Sequence, residues 1–137
     1  MNLERFVEAQ KHSYSTALSE IKSGRKRSHW MWYIFPQIKG LGYSSTAQYY
    51  AIQSREEAEA YLEHPVLGKR LVEISEELLR LKSSNAREVF GYPDDMKLKS
   101  SMTLFFLVSK ETIFRQVIDK FFEGEMDERT KELLGEI

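Results

Sequence analysis

The stretch "SHWMWYIFPQ", residues 28–37, decides the fold. It places four aromatic residues, Trp30, Trp32, Tyr33 and Phe35, in six positions, behind His29 and ahead of Pro36. Read as a strand, it puts Trp30, Trp32 and Ile34 on one face, because successive side chains alternate between faces. Read as a helix, it is apolar all round, the mark of a buried helix. A strand needs a partner, and no other segment alternates with period two between turn signals. The stretch therefore reads as a short central helix, capped by Ser28 and ending before Pro36. That choice makes the chain all-α.

Working outward, helical periodicity dominates. Asn2 is placed to cap a first helix in which Leu3, Phe6, Val7, Tyr14, Leu18 and Ile21 recur at three- and four-residue steps until Gly24 closes it. Ser54 followed by Glu57 is a capping box ahead of Ala58, Tyr61 and Leu62. From Pro65 to Lys82, Leu67, Leu71, Ile74, Leu78 and Leu81 form one apolar stripe. From Asp94 to Val108 a helix opens on acidic residues after Pro93 and turns Leu98, Met102, Phe105 and Phe106 inward. Ile113, Phe114, Val117, Ile118 and Phe121 make a further face stopped at Gly124, and Asp127 caps a last short helix through Leu133 and Leu134. The expectation is a compact single-domain bundle of about seven or eight helices over residues 1–137, with no linker or repeat.

Composition narrows the function classes. The 137 residues carry a formal net charge of −1 and 42% hydrophobic residues, an ordinary soluble, folded composition. No whole-molecule field draws the chain to nucleic acid or an anionic membrane. There is no cysteine, which removes disulfides, thiol catalysis and thiolate metal sites together. Glu4 and Glu8 with no apolar run argue against a secretory signal, and no window approaches the ~20 apolar residues of a membrane span. A cytoplasmic location is the expectation.

Three stretches carry polar chemistry. In Arg25-Lys26-Arg27-Ser28-His29-Trp30, cations adjoin the aromatic cluster. Backbone N–H groups at a helix starting on Ser28 would bind an anion, with Arg25 or Arg27 adding charge-assisted bonds. Trp30 or Trp32 would stack a flat heterocycle, and His29 would exchange a proton. The plainer reading makes the aromatics core and the cations solvated loop. In "FGYPDDMKLKSS", residues 90–101, Asp94 or Asp95 would cap the following helix, with Lys97 and Ser101 near the Asp94 face at three- and seven-residue steps. That group would suit a ribose diol and a phosphate. "KGLGYSSTAQYY", residues 39–50, offers Gly40 and Gly42 before Ser44 or Ser45 as a cap, a weak phosphate signal because it lacks the established Gly-rich patterns.

Other chemistries find no pattern. His12, His29 and His64 lack metal-ligand spacing, so no metal is expected. The nucleophile elbow of α/β-hydrolases is absent. Glu56, Glu57 and Glu59, like Glu73, Glu76 and Glu77, read as solvated helix faces.

The chain resembles the bacterial domain of unknown function 1810 family, whose members often carry the label calpastatin. The resemblance rests on "RFVEAQ" at 5–10, "GRKRSHWMWYIFPQIKGLG" at 24–42, "YYAI" at 49–52, "AYLEHPVLGKRL" at 60–71 and "FGYPDDMKLKSSMTLF" at 90–105. It implies a compact helical fold and brings no established activity. The calpastatin label implies a disordered inhibitor, against this globular composition. More distantly, "YSSTAQYYAIQS" is similar to the T-S-E-H-Y-x-Q-A-Q-K stretch of YbiA-like NADAR proteins, which are associated with ADP-ribose derivatives and N-glycoside cleavage. Where that family has its acidic catalytic residue, this chain has Ala47.

Together these readings point to one pocket for a nucleotide-like or ADP-ribose-like small molecule, with no cofactor. The candidate ligand contacts are Arg27, Trp30, Trp32, Gln37, Tyr50, Lys97 and Ser101. Candidate catalytic groups for N-glycoside hydrolysis are Asp95, Asp94 and His29, with Asp95 ahead because Asp94 would be used as a cap. The competing class is a protein-interaction module without catalysis, in which Tyr43, Tyr49 and Tyr50 face a partner or form a homodimer.

Overall fold

The computed structural model describes residues 2–135. Ten helices follow one another among them: α1 Glu4–Lys11, α2 Tyr14–Lys22, α3 Met31–Ile34, α4 Ser45–Tyr49, α5 Arg55–Glu63, α6 Leu67–Arg80, α7 Ala86–Phe90, α8 Asp94–Ser109, α9 Thr112–Phe122 and α10 Glu128–Leu134. No strand occurs among the described residues; Ile38 and Ile52 form an isolated parallel bridge. No helix there is long and apolar enough to cross a membrane.

The all-α expectation holds, with two helices more than the upper expected number. The first arises because the segment from Asn2 to Gly24 is broken at His12–Ser13. α1 packs on α3 while α2 packs on α6, so the halves serve different neighbours. Side chains fix the break. Gln10 donates to the Tyr33 carbonyl at 2.8 Å and the Tyr61 hydroxyl at 3.0 Å, while the Tyr14 hydroxyl bonds the Glu73 carboxylate on α6. Asn2 does not cap α1; Leu3 holds the cap position without a side-chain bond. The second extra helix is α7, whose cap is Asn85, accepting from Glu88 N–H at 3.1 Å.

The decisive stretch is helical for only four residues. Trp30, Met31, Ile34 and Phe35 are buried, whereas Trp32 and Tyr33 lie partly exposed. The three-to-four-residue period thus sends one tryptophan inward and leaves the other at the surface. Ser28 is not its cap: Trp30 holds that position, with no side-chain bond.

α8 is the central element, packed by α5, α7, α9 and α10, with Leu98, Met102 and Phe105 fully covered as read from the sequence. Phe106 is only partly covered. Ser100 and Thr103 stay in its interior by bonding the Met96 and Lys99 carbonyls one turn back. At the α5–α6 corner, a Cβ on Gly68 would lie 1.9 Å from the Leu62 carbonyl oxygen, so only glycine permits this approach. His64 Nδ1 accepts from the Val66 and Leu67 N–H groups at 3.1 and 3.2 Å, taking the role of an N-cap for α6. The other end of α6 is closed from α9. The Lys120 ammonium donates to the carbonyls of Leu78 and Leu79 at 3.0 Å, and to that of Leu81. Ser54 and Asp127 cap α5 and α10 as expected.

Candidate functional site

The basic loop after α2 is organised by an acid. Glu20 Oε1 accepts from the backbone N–H groups of Arg27 at 2.8 Å and Ser28 at 3.0 Å, and from Trp30 Nε1 at 2.9 Å. The Ser28 hydroxyl donates to its other oxygen. The backbone N–H groups expected to hold an external anion are therefore occupied by the chain's own carboxylate. Burial opposes ionisation of Glu20, but the bonds from Ser28, Arg27 and Trp30 outweigh it and lower its pKa to about 2.

The two segments nominated from the sequence do meet. Lys26 Nζ pairs with Asp94 Oδ2 at 2.9 Å and lies 5.1 Å from the Trp30 ring centre. The other oxygen of Asp94 pairs with Lys97 Nζ at 3.3 Å, and that ammonium stands 4.8 Å over the Trp32 ring. A Lys26–Asp94–Lys97 chain thus bridges the basic loop to the start of α8, with an indole against each cation.

Beside Trp32 opens a cleft of about 560 Å³, walled by His29, Trp32, Tyr33, Tyr49 and Tyr50 and floored by the polar Ser45 and Thr46. A narrow crevice continues from it past Gln37, Ala47 and Tyr50. Tyr50 packs 5.3 Å from Tyr33 and 4.8 Å from Tyr49, ring centre to ring centre. Its hydroxyl pKa is raised, chiefly by burial and then by the two neighbouring tyrosines, against the lowering influence of Arg5.

Of the nominated ligand contacts, Trp32, Gln37 and Tyr50 line this cleft and crevice with the candidate catalytic residue His29, while Lys97 lines neither and reaches them only through the Trp32 ring. Others require correction. Trp30 is 1% exposed and donates to Glu20, so it presents no face for stacking. Ser101 is fully buried on α8, its hydroxyl without a hydrogen-bond partner. Asp95 is buried too, with Oδ1 unpartnered, and lies away from the cleft lining. Neither aspartate caps α8, whose cap position is Pro93 without a side-chain bond; Asp94 is taken up by the two lysines instead. The Arg27 guanidinium reaches back to Ser23 Oγ at 3.3 Å.

The Gly-rich loop also has a different use. A Cβ on Gly42 would stand 2.5 Å from that of Ala47, and one on Gly40 would meet Leu133 at 3.0 Å, so both glycines serve close packing. Ser44 caps α4, accepting from Ala47 N–H at 3.1 Å.

Sequence reasoning missed Glu20 and Glu57. Glu57, read as solvated, is 2% exposed and pairs with Arg5 at 2.8 Å. The available signal was the buried arginine's need for an acid, but Arg5 lies 52 positions away and no local pattern joins them. Among the described residues, no group of three or more His, Asp or Glu side chains is placed to hold a metal ion.

Fold and site define a small all-helical protein with an aromatic surface cleft flanked by lysine. Residues 1–134 match the family described as "Protein of unknown function (DUF1810)", and the chain belongs to it. The chain is also similar to the conserved hypothetical protein Rv1873 from Mycobacterium tuberculosis, known from a crystal structure, at 45% identity and a TM-score of 0.96; the match covers 98% of this chain and 96% of that one. No curated protein matches it.

Proposed function

We propose that the Trp32 cleft binds a nucleotide-like small molecule, with ADP-ribose the ligand to test first. The observation that carries this reading is the meeting of Trp32, Tyr50 and His29 around one open cleft, with the Lys97 ammonium held against the Trp32 ring. Trp32 supplies a stacking face worth about 1–3 kcal/mol to a flat base. Lys97 keeps donor capacity for phosphate beyond its bond to Asp94. His29, Gln37 and Tyr50 offer hydrogen bonds to hydroxyls. The similarity of residues 43–54 to proteins associated with ADP-ribose derivatives narrows the choice of probe.

The contacts support binding rather than N-glycoside cleavage. Asp94 has each oxygen paired with a lysine, and Asp95 is buried away from the cleft lining. Titration with ADP-ribose should quench tryptophan fluorescence. Trp32→Ala should weaken binding by roughly ten- to a hundredfold while leaving the helices intact. A wild-type protein whose fluorescence and melting temperature ignore ADP-ribose and a nucleotide panel removes the proposal.

A second reading has its own observation: Tyr49, in the wall of the cleft, is 57% exposed, and Tyr43, on the neighbouring loop, is 83% exposed. It makes this face a protein-interaction or homodimer surface, and a solution mass above that of one chain, reduced by Tyr49→Ser, supports it.

A further inference from the structure

We infer that the buried Arg5–Glu57 pair is a latch that fixes the tyrosine wall of the cleft, so that both are positioning residues of the ligand site; this rests on reading that cleft as the site. The need for a latch follows from α4. None of its five residues is buried; the apolar anchors of the segment lie just beyond it, at Tyr50 against Phe6 and Tyr33 and at the buried Ala51 and Ile52, and leave the helix that ends in Tyr49 weakly packed. Polar bonds from α1 and α5 add the hold that fixes its backbone.

Arg5 Nε donates to the Tyr49 carbonyl and Nη2 to the Ala51 carbonyl, both at 2.7 Å. Nη2 also reaches Glu57 Oε1 at 2.8 Å; Nη1 reaches Glu57 Oε2 at 3.4 Å and the Asn2 carbonyl. The five N–H groups of a guanidinium are thus all used, leaving none for a ligand. Glu57 Oε1 accepts in turn from Gln53 N–H at 3.0 Å. The latch therefore grips the backbone at residues 49, 51 and 53, on either side of Tyr50.

The placement argues for positioning rather than bulk stability. The pair is 5% and 2% exposed at its side chains, and a buried ion pair is often no more stabilising than well-packed apolar residues of the same volume. What apolar residues cannot supply is three directed bonds to the Asn2, Tyr49 and Ala51 carbonyls. Burial raises the Glu57 pKa, but the bonds from Arg5 and Gln53 outweigh it and lower it, keeping the carboxylate ionised. Neither residue lines the Trp32 cleft. They border a second cleft of about 530 Å³ beyond Tyr49, so they act on the first through the Tyr49–Tyr50 segment.

The test uses Arg5→Lys, whose single ammonium cannot span these acceptors, and Glu57→Asp, which keeps the charge but draws it back by one methylene. ADP-ribose affinity is read by fluorescence, and acrylamide quenching of the ligand-free protein reports how far Trp32 is exposed. Circular dichroism checks that the helices are formed. Arg5→Lys should weaken binding roughly tenfold and raise the quenching constant, with Glu57→Asp changing both in the same direction by less. A loss of stability alone does not alter quenching of the folded state. Folded variants with wild-type affinity and wild-type quenching overturn the latch, and Glu57→Asp decides alone if Arg5→Lys fails to fold. If the wild type ignores ADP-ribose, the ligand reading fails separately. The quenching comparison then decides whether the pair positions the wall: a rise supports it and an unchanged constant overturns it.

Discussion

Replacing Glu20 by Gln removes a charge while keeping the shape of the group that organises the basic loop. In the folded protein its carboxylate receives bonds from Arg27 N–H, Ser28 N–H, Ser28 Oγ and Trp30 Nε1, and its pKa falls from the ordinary 4.5 to about 2. Taken whole, such a shift corresponds to roughly 3 kcal/mol. Glu20 is only half-buried, and solvent screening reduces the figure to about 1.5 kcal/mol. A carboxylate with a lower pKa folded than unfolded stabilises the fold above the unfolded value, and that contribution is lost as pH falls through the folded value. Near neutral pH, Glu20→Gln should therefore melt about 5 °C below the wild type for a chain of this length. The gap should narrow below about pH 4.5 and close near pH 2. Glu20→Ala should cost about 1–3 kcal/mol more, because it leaves the buried Trp30 N–H without an acceptor. Thermal melts followed by circular dichroism across that pH range measure all three proteins. A Glu20→Gln gap that is absent near neutrality, or constant down to pH 2, refutes the assignment of this stability to the charge.

Two further outcomes test the frame that carries the site. Gly68→Ala would place a Cβ 1.9 Å from the Leu62 carbonyl oxygen, so we expect a loss of about 3 kcal/mol or no soluble protein; a variant melting with the wild type would show that α5 and α6 can separate freely. His64→Ala should lower stability by about 1 kcal/mol through loss of the α6 cap, while His64→Asn should retain most of it. Urea midpoints distinguish the two, and equal losses from both would refute the capping role.

Long helices were legible because burial writes itself into spacing: α6 and α8 present the predicted apolar rows to the core. The division of α1 from α2 was not, because the same spacing runs on through Gln10 and Tyr14, and the break is set by bonds to Tyr33, Tyr61 and Glu73 on other elements. The five-residue α7 rests on Asn85 and a few contacts, too little for a periodic signal. For the site, the one-pocket reading supposes that residues 28–37 meet the start of α8; no local pattern requires it, and the contact of Lys97 with Trp32 supplies it. Which tryptophan would face outward was not legible either, because it depends on where a four-residue helix begins. Glu20 and Glu57 were hidden for another reason. An acid looks the same in sequence whether water or a buried N–H group solvates it, and the partner of Glu57 is supplied by a distant turn of chain.

The Lys120 ammonium that closes the end of α6 bears on the order in which the protein is assembled. The carbonyls it satisfies belong to Leu78, Leu79 and Leu81, about forty positions earlier. On the ribosome, α6 emerges with those groups bare, and they stay dependent on water until Lys120 has cleared the exit tunnel. The contact between α6 and α9 is thus sealed only after Lys120 has been made, and a chain cut before that residue carries a frayed end on α6.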